Sequence, residues 1–209
     1  MIFMDAVVGS DELNAWRYDP DVLPLAWKQN KTTENKQLVI GVLPEDPEYP
    51  LLPPVRRTLD EAADRLNAAG HRVIKLPYDV TSSAGLGGRL SHEYYAIFPP
   101  PPDAEPLDQF LGEPLVPSLA QLQKSNPFTH GHPVDPDLPL PLRIDALTTA
   151  RETYGAAWHG IWQAHGLDVV LAPGAAHTAV PYDTYGMPVY TCMWNLIDVG
   201  VASFLESID

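Results

Sequence analysis

Apolar and polar positions alternate with a clear helical period in "PPVRRTLDEAADRLNAAGHRVIKL". Val55, Leu59, Ala62, Ala63 and Leu66 fall on one face, and Arg56, Arg57, Asp60, Glu61, Asp64 and Arg65 on the other. Pro54 suits a first turn, and Gly70 suits a left-handed cap after the last one. The apolar run of "HRVIKL" then predicts a strand. Upstream, "LVIGVLPED" (38–46) is an apolar run closed by turn residues, the mark of a buried strand. Strand, helix and strand make a β-α-β unit, whose two strands should be parallel with a right-handed crossover. A second helix is predicted over 142–165, with Ala146, Ala150, Tyr154, Trp158 and Ile161 on one face and Gly166 as its stop. "LDVVLAP" (167–173) predicts a third buried strand. A short helix is expected over 2–9, followed by an extended aromatic segment, "AWRYDPDVLPLAWK".

These elements give an α/β protein with a mostly parallel β-α-β sheet core. One domain is expected over 1–209. Its parts are an N-terminal helix and aromatic linker (1–37), the β-α-β unit (38–80), a long Pro-rich irregular insertion (81–141), and a helix, strand and pocket segment (142–209). The insertion follows from proline, of which the chain has 23. Each proline fixes φ and removes a donor, so "FPPPPDAEP" and "HPVDPDLPLPL" should be extended loops. A loop of that length inside a domain usually lies across a surface or a site.

Composition narrows the function classes. A hydrophobic share of 45% over 209 residues suffices for a real core. The formal net charge of −14 repels phosphate backbones and anionic lipid, so neither nucleic acid nor membrane is an expected partner. The start lacks the basic region of a signal peptide, and no apolar run reaches the length of a span. With Cys192 as the single cysteine, a cytoplasmic, reducing location is expected. The strand at 38–46 is followed by "PEDPEYPLLPP" rather than a glycine-rich phosphate loop, and no cofactor is expected.

Four stretches carry candidate chemistry. "TSSAGLGG" (81–88) offers Ser82 and Ser83, but no base lies nearby in sequence, and a flexible turn is the expected reading. "THGHPVDPD" offers His130, His132, Asp135 and Asp137. Spaced along a proline-rich loop they lack the rigid frame of a ligand set, so no metal is expected. "APGAAHTAVPYD" follows the third strand, where α/β proteins place their sites. His177 there is a candidate general base, beside Asp183. "YTCMWNLID" interleaves aromatic and polar groups as a pocket wall does. Tyr190, Thr191, Trp194 and Asn195 are the candidate ligand-binding residues, and His177 and Asp198 the candidate catalytic pair. Thr191 is also a candidate helix N-cap.

"LDVVLAPGAAHTAVPYD" followed by "YTCMWNLID" resembles the amidase signature family, in its fungal acetamidase-like branch. "AWRYDPDVLPLAWK", "IGVLPED" with the "PPVRRTLDEAADRLNAAGHRVIKL" unit, "GEPLVPSL" and "ALTTARETYGAAWHGIWQAHGLD" fit the same pattern, so the resemblance covers nearly the whole chain. It implies a partial amidase-signature-like fold. It also implies hydrolysis of amides by a serine–cis-serine–lysine triad, but no residue here matches that lysine or the signature serines. "TSSAGLGG" shares letters with the signature yet stands on the wrong side of the "AGH" strand, so no such role passes to Ser82 or Ser83. "NLIDVGVASF" also departs from the family at Val199 and Gly200, where tyrosine and proline are usual.

An interior piece of an amidase, without hydrolysis by the family mechanism, is therefore expected. The leading expectation is a small-organic-molecule-binding protein turned to a non-hydrolytic step, for example in fungal-type specialised metabolism. A non-catalytic regulatory partner of a full-length amidase, or a fragment of an intact amide hydrolase, are the alternatives. A homodimer is expected, because an apolar face covered in a full-length relative would otherwise meet water.

Overall fold

Residues 36–97, 116–117, 131–182, 184 and 186–201 are described by the computed structural model. Three parallel strands run in the order β2-β1-β3, with β1 at Val39–Val42, β2 at Arg72–Lys75 and β3 at Val169–Leu171. Val39 lies opposite Arg72, and Ile40 opposite Val169. The central place falls to β1, where Ile40 and Val42 are buried. The stretch expected as a third buried strand is instead an edge among the described residues, and its Val169 is 42% exposed. A short apolar run reads alike in both settings, because periodicity does not record how many neighbours a strand has.

Helix α1 (Pro53–Ala68) carries prolines in its first turn and is followed by Gly70 at φ 92°. Ala63 is its fully buried residue, while Val55 and Leu59 pack against the core from a half-buried ring. Lys75 of β2 reaches back to Asp60 at 2.9 Å.

The glycine run expected as a turn is helical. After a 3-10 turn at Val80–Ser82, helix α2 spans Ala84–Ala96 within the stretch expected to be irregular. Two caps hold its start. Ser83 Oγ accepts the Leu86 N–H at 3.2 Å, and Asp46 Oδ2, from the loop after β1, accepts the Gly85 N–H at 2.6 Å. The glycines cost helix propensity, about 1 kcal/mol each, and close packing explains them. A Cβ on Gly87 would overlap the Tyr154 hydroxyl and stand 2.7 Å from Met193 Cβ; one on Gly88 would stand 2.7 Å from Val189 Cγ1.

Those contacts come from helices α3 (Leu140–His165) and α4 (Val189–Leu196). Gly166, at φ 62°, caps α3 as its sequence predicts. Tyr154 and Trp158 are buried on α3, together with Leu147, which the expected face omitted. Tyr154 Oη donates to the Ser83 carbonyl at 3.1 Å, fastening α3 to the start of α2. The rings of Trp158 and Trp194 meet at 4.8 Å. The N-cap of α4 is Pro188, not Thr191. Thr191 lies inside the helix, and its hydroxyl turns back to donate to the Pro188 carbonyl at 3.0 Å. The expected elements at 2–9 and 15–28, and the residues His130 and Asp183, lie outside the described residues. No helix among the described residues is long and apolar enough to cross a membrane.

Candidate functional site

Beyond β1 the chain turns at Pro44 and presents Glu45, Asp46, Glu48 and Tyr49. Asp46 is 1% exposed and fully engaged. Besides capping α2, its carboxylate accepts the Glu48 N–H at 2.9 Å, and its own N–H donates to Tyr190 Oη at 3.0 Å. Tyr190 Oη in turn donates to the Tyr49 carbonyl at 2.8 Å. The loop after β3 joins the same frame through the Leu52 N–H, which donates to the Ala176 carbonyl at 2.8 Å. Three segments distant in sequence are thus held together by backbone-directed hydrogen bonds.

Between them lies a groove of about 280 Å³, lined by Glu48, Tyr49, Pro50, Ala175, Ala176, His177, Met187, Pro188, Val189 and Tyr190. It sits beyond the carboxyl ends of β1 and β3. In the order β2-β1-β3 the chain changes direction across the sheet between these two strands, the place where open α/β sheets form crevices. Its lining is mostly apolar with a few polar groups, as binding sites usually are. His177 is half-buried, with Nδ1 3.2 Å from the Thr178 carbonyl. Burial pushes the Tyr190 phenol up to about 12, so it is a neutral hydrogen-bonding group and not a base. Glu48 receives Arg89 Nη1 at 2.5 Å.

The six candidate residues separate. His177 and Tyr190 line the groove. Trp194 is buried against Trp158. Thr191 spends its hydroxyl on its own helix. Asn195 is exposed, and its carbonyl accepts from Tyr95 Oη at 3.2 Å. Asp198, at φ 56°, pairs with Arg151 at 2.6 Å on the surface. Asp46, Glu48 and Arg89 were not singled out from sequence. The carboxylates directly after a strand were the available signal; nothing marks Arg89.

The described nucleophile candidates are committed to structure. Ser82 Oγ donates to the Asp79 carbonyl at 3.4 Å, and Ser83 Oγ caps α2. Burial pushes the Cys192 thiol up, away from the reactive thiolate. His132 Nδ1 stands 3.8 Å from the buried carboxylate of Glu93, which also holds Arg143, and Asp135 Oδ1 accepts the Asp137 N–H at 3.0 Å. Among the described residues, no three His, Cys, Asp or Glu side chains gather as a metal set.

No protein-family model matches the chain. It is 30% identical over 199 residues to an amidase of Gibberella moniliformis, covering 94% of this chain and 34% of that protein. It is 28% identical over 197 residues to fatty acid amide hydrolase 1 of Caenorhabditis elegans, covering 87% of this chain and 34% of that protein. A solved fatty acid amide hydrolase superposes with a TM-score of 0.64 at 20% identity, over 94% of this chain and 32% of that one, which establishes the shared fold. The chain spans about a third of the length of the curated relatives it matches. It is a homologue of the amidases, carrying part of the amidase-signature fold.

Proposed function

We propose that this chain supplies the ligand-holding side of an amide hydrolase, with the groove between the β1 loop, the β3 loop and α4 as the place where the amide-bearing molecule rests. The observation that carries this reading is the position of the groove at the strand-order reversal, in a chain whose relatives are amidases. Hydrolysis needs an activated nucleophile and oxyanion donors, each worth orders of magnitude in rate. Ser82 and Ser83 do not fill that role, so these 209 residues alone are expected not to hydrolyse amides. Under this reading the nucleophile comes from sequence other than these residues.

The test is amide binding by the isolated chain, followed by methyl NMR. Phenylacetamide should shift the methyl resonances of Met187 and Val189, and Ala175→Trp, which fills the groove, should abolish the effect. Shifts confined to other methyls would refute the assignment. A second reading keeps the groove but gives it a non-hydrolytic step. Restored amide hydrolysis on adding a serine-bearing amidase segment would decide against it.

A further inference from the structure

We propose that Glu48 makes the groove selective for an uncharged, N–H-donating carboxamide over the carboxylate that hydrolysis makes of it; the inference rests on the reading of the groove as an amide site. Glu48 lines the groove and Arg89 does not. The side chains of the pair are 38% and 10% exposed, so the carboxylate forms the wall and the guanidinium stands behind it. A carboxylate has about four acceptor positions. Arg89 Nη1 takes one of them at 2.5 Å, which leaves capacity for a ligand N–H. The neighbouring guanidinium of Arg56 is itself held by Glu45 at 2.5 Å. Among the described residues no arginine lines the groove, and the rest of the wall is mainly apolar, as at Pro50, Ala175, Met187 and Val189.

A primary carboxamide answers this wall. Its N–H groups meet Glu48, and its apolar part enters the groove of about 280 Å³. A carboxylate of the same shape offers acceptors alone and sets one negative charge beside another. Hydrolysis converts RCONH2 and water into RCOO⁻ and NH4⁺. The charge created on the acyl product is repelled by the wall that held the substrate, and the groove empties.

The experiment is calorimetry on the chain with phenylacetamide and phenylacetate at pH 8. The acid should bind about tenfold more weakly than the amide, a difference of about 1.4 kcal/mol. In Glu48→Gln, which removes the negative charge from the wall and leaves the Arg89 charge behind it, the gap should shrink to about twofold or reverse. Equal binding of amide and acid by the unaltered chain, or an unchanged gap in Glu48→Gln, would overturn the proposal while leaving the groove in place. Binding of neither ligand would remove the groove reading itself. Should Glu48→Gln not fold, the salt dependence of the unaltered chain decides. The gap must narrow at high salt as the repulsion is screened, and a gap indifferent to salt overturns the proposal.

Discussion

Replacing glycine by alanine inside a helix should raise stability by about 1 kcal/mol, since alanine loses less backbone freedom on folding. Two helical glycines of this fold should nevertheless respond in opposite ways, because their surroundings differ. At Gly160 in α3, nothing lies within 4 Å of an added Cβ. Propensity acts alone there, and Gly160→Ala should gain about 0.5–1 kcal/mol. At Gly88 in α2, the Cβ meets Val189 Cγ1 at 2.7 Å, Val189 Cβ at 2.9 Å and Val189 Cα at 3.0 Å. The last is backbone and cannot rotate aside, so α2 and α4 must separate. Overpacking of that kind costs about 1–3 kcal/mol, and with rigid neighbours the upper part of the range applies. After subtracting the propensity gain, Gly88→Ala should lose about 2 kcal/mol. Urea melts of the three proteins measure both, with the slope m held in common. In thermal melts the loss at Gly88 corresponds to about 4–8 °C for a chain of this size. A Gly88→Ala protein as stable as its parent would refute the claim that the glycine run exists to bring α2 against α4.

Removing the Tyr190 hydroxyl leaves the Asp46 N–H and the Tyr49 carbonyl without it, so Tyr190→Phe should cost about 2–4 kcal/mol in urea melts; a loss below about 0.5 kcal/mol would mean that the hydroxyl is not a fastening. The folded phenol of Tyr190 is raised from 10.0 to about 12 by burial. Its contribution is therefore intact below pH 10 and lost as pH climbs through about 12, and alkaline unfolding followed by tyrosinate absorbance should show Tyr190→Phe losing that dependence. Arg56 holds the Glu45 carboxyl below its ordinary value through a side-chain hydrogen bond. Arg56→Ala should let it titrate nearer 4.5 by NMR, and an unmoved midpoint would sink that assignment. Light scattering should find a dimer, driven by Leu140, Leu142 and the β3 edge at Val169; a monodisperse monomer at micromolar concentration would count against it.

How far sequence reached depends on what each residue responds to. Helix α1 was legible because its two faces differ in polarity and proline and glycine punctuate its ends. Gly166 marked the end of α3 for the same local reason. The glycines of α2 read as a turn, since propensity is local and the close approach of Tyr154, Met193 and Val189 is not. The candidate site was legible where it follows a strand end. His177 and Tyr190 reach the groove because loops after parallel strands converge. Trp194, Asn195 and Asp198 share a short stretch with Tyr190, but one helical turn sends successive residues to core, surface and groove alike. Asp46 escaped notice because its three partners come from its own loop, from α2 and from α4.

The bond between Asp46 and Tyr190 joins residues 144 positions apart. At a synthesis rate of about 5–20 residues per second, roughly 7 to 30 s pass between the appearance of one and of the other. Through that interval β1, α1 and β2 can assemble, since their contacts are nearby in sequence, while the loop carrying Glu48 and Tyr49 has no phenol to close on. Of the described features, the groove is therefore among the last to take shape on a nascent chain. A premature stop before α4 would leave the strand-helix-strand unit able to form, with the groove missing one wall.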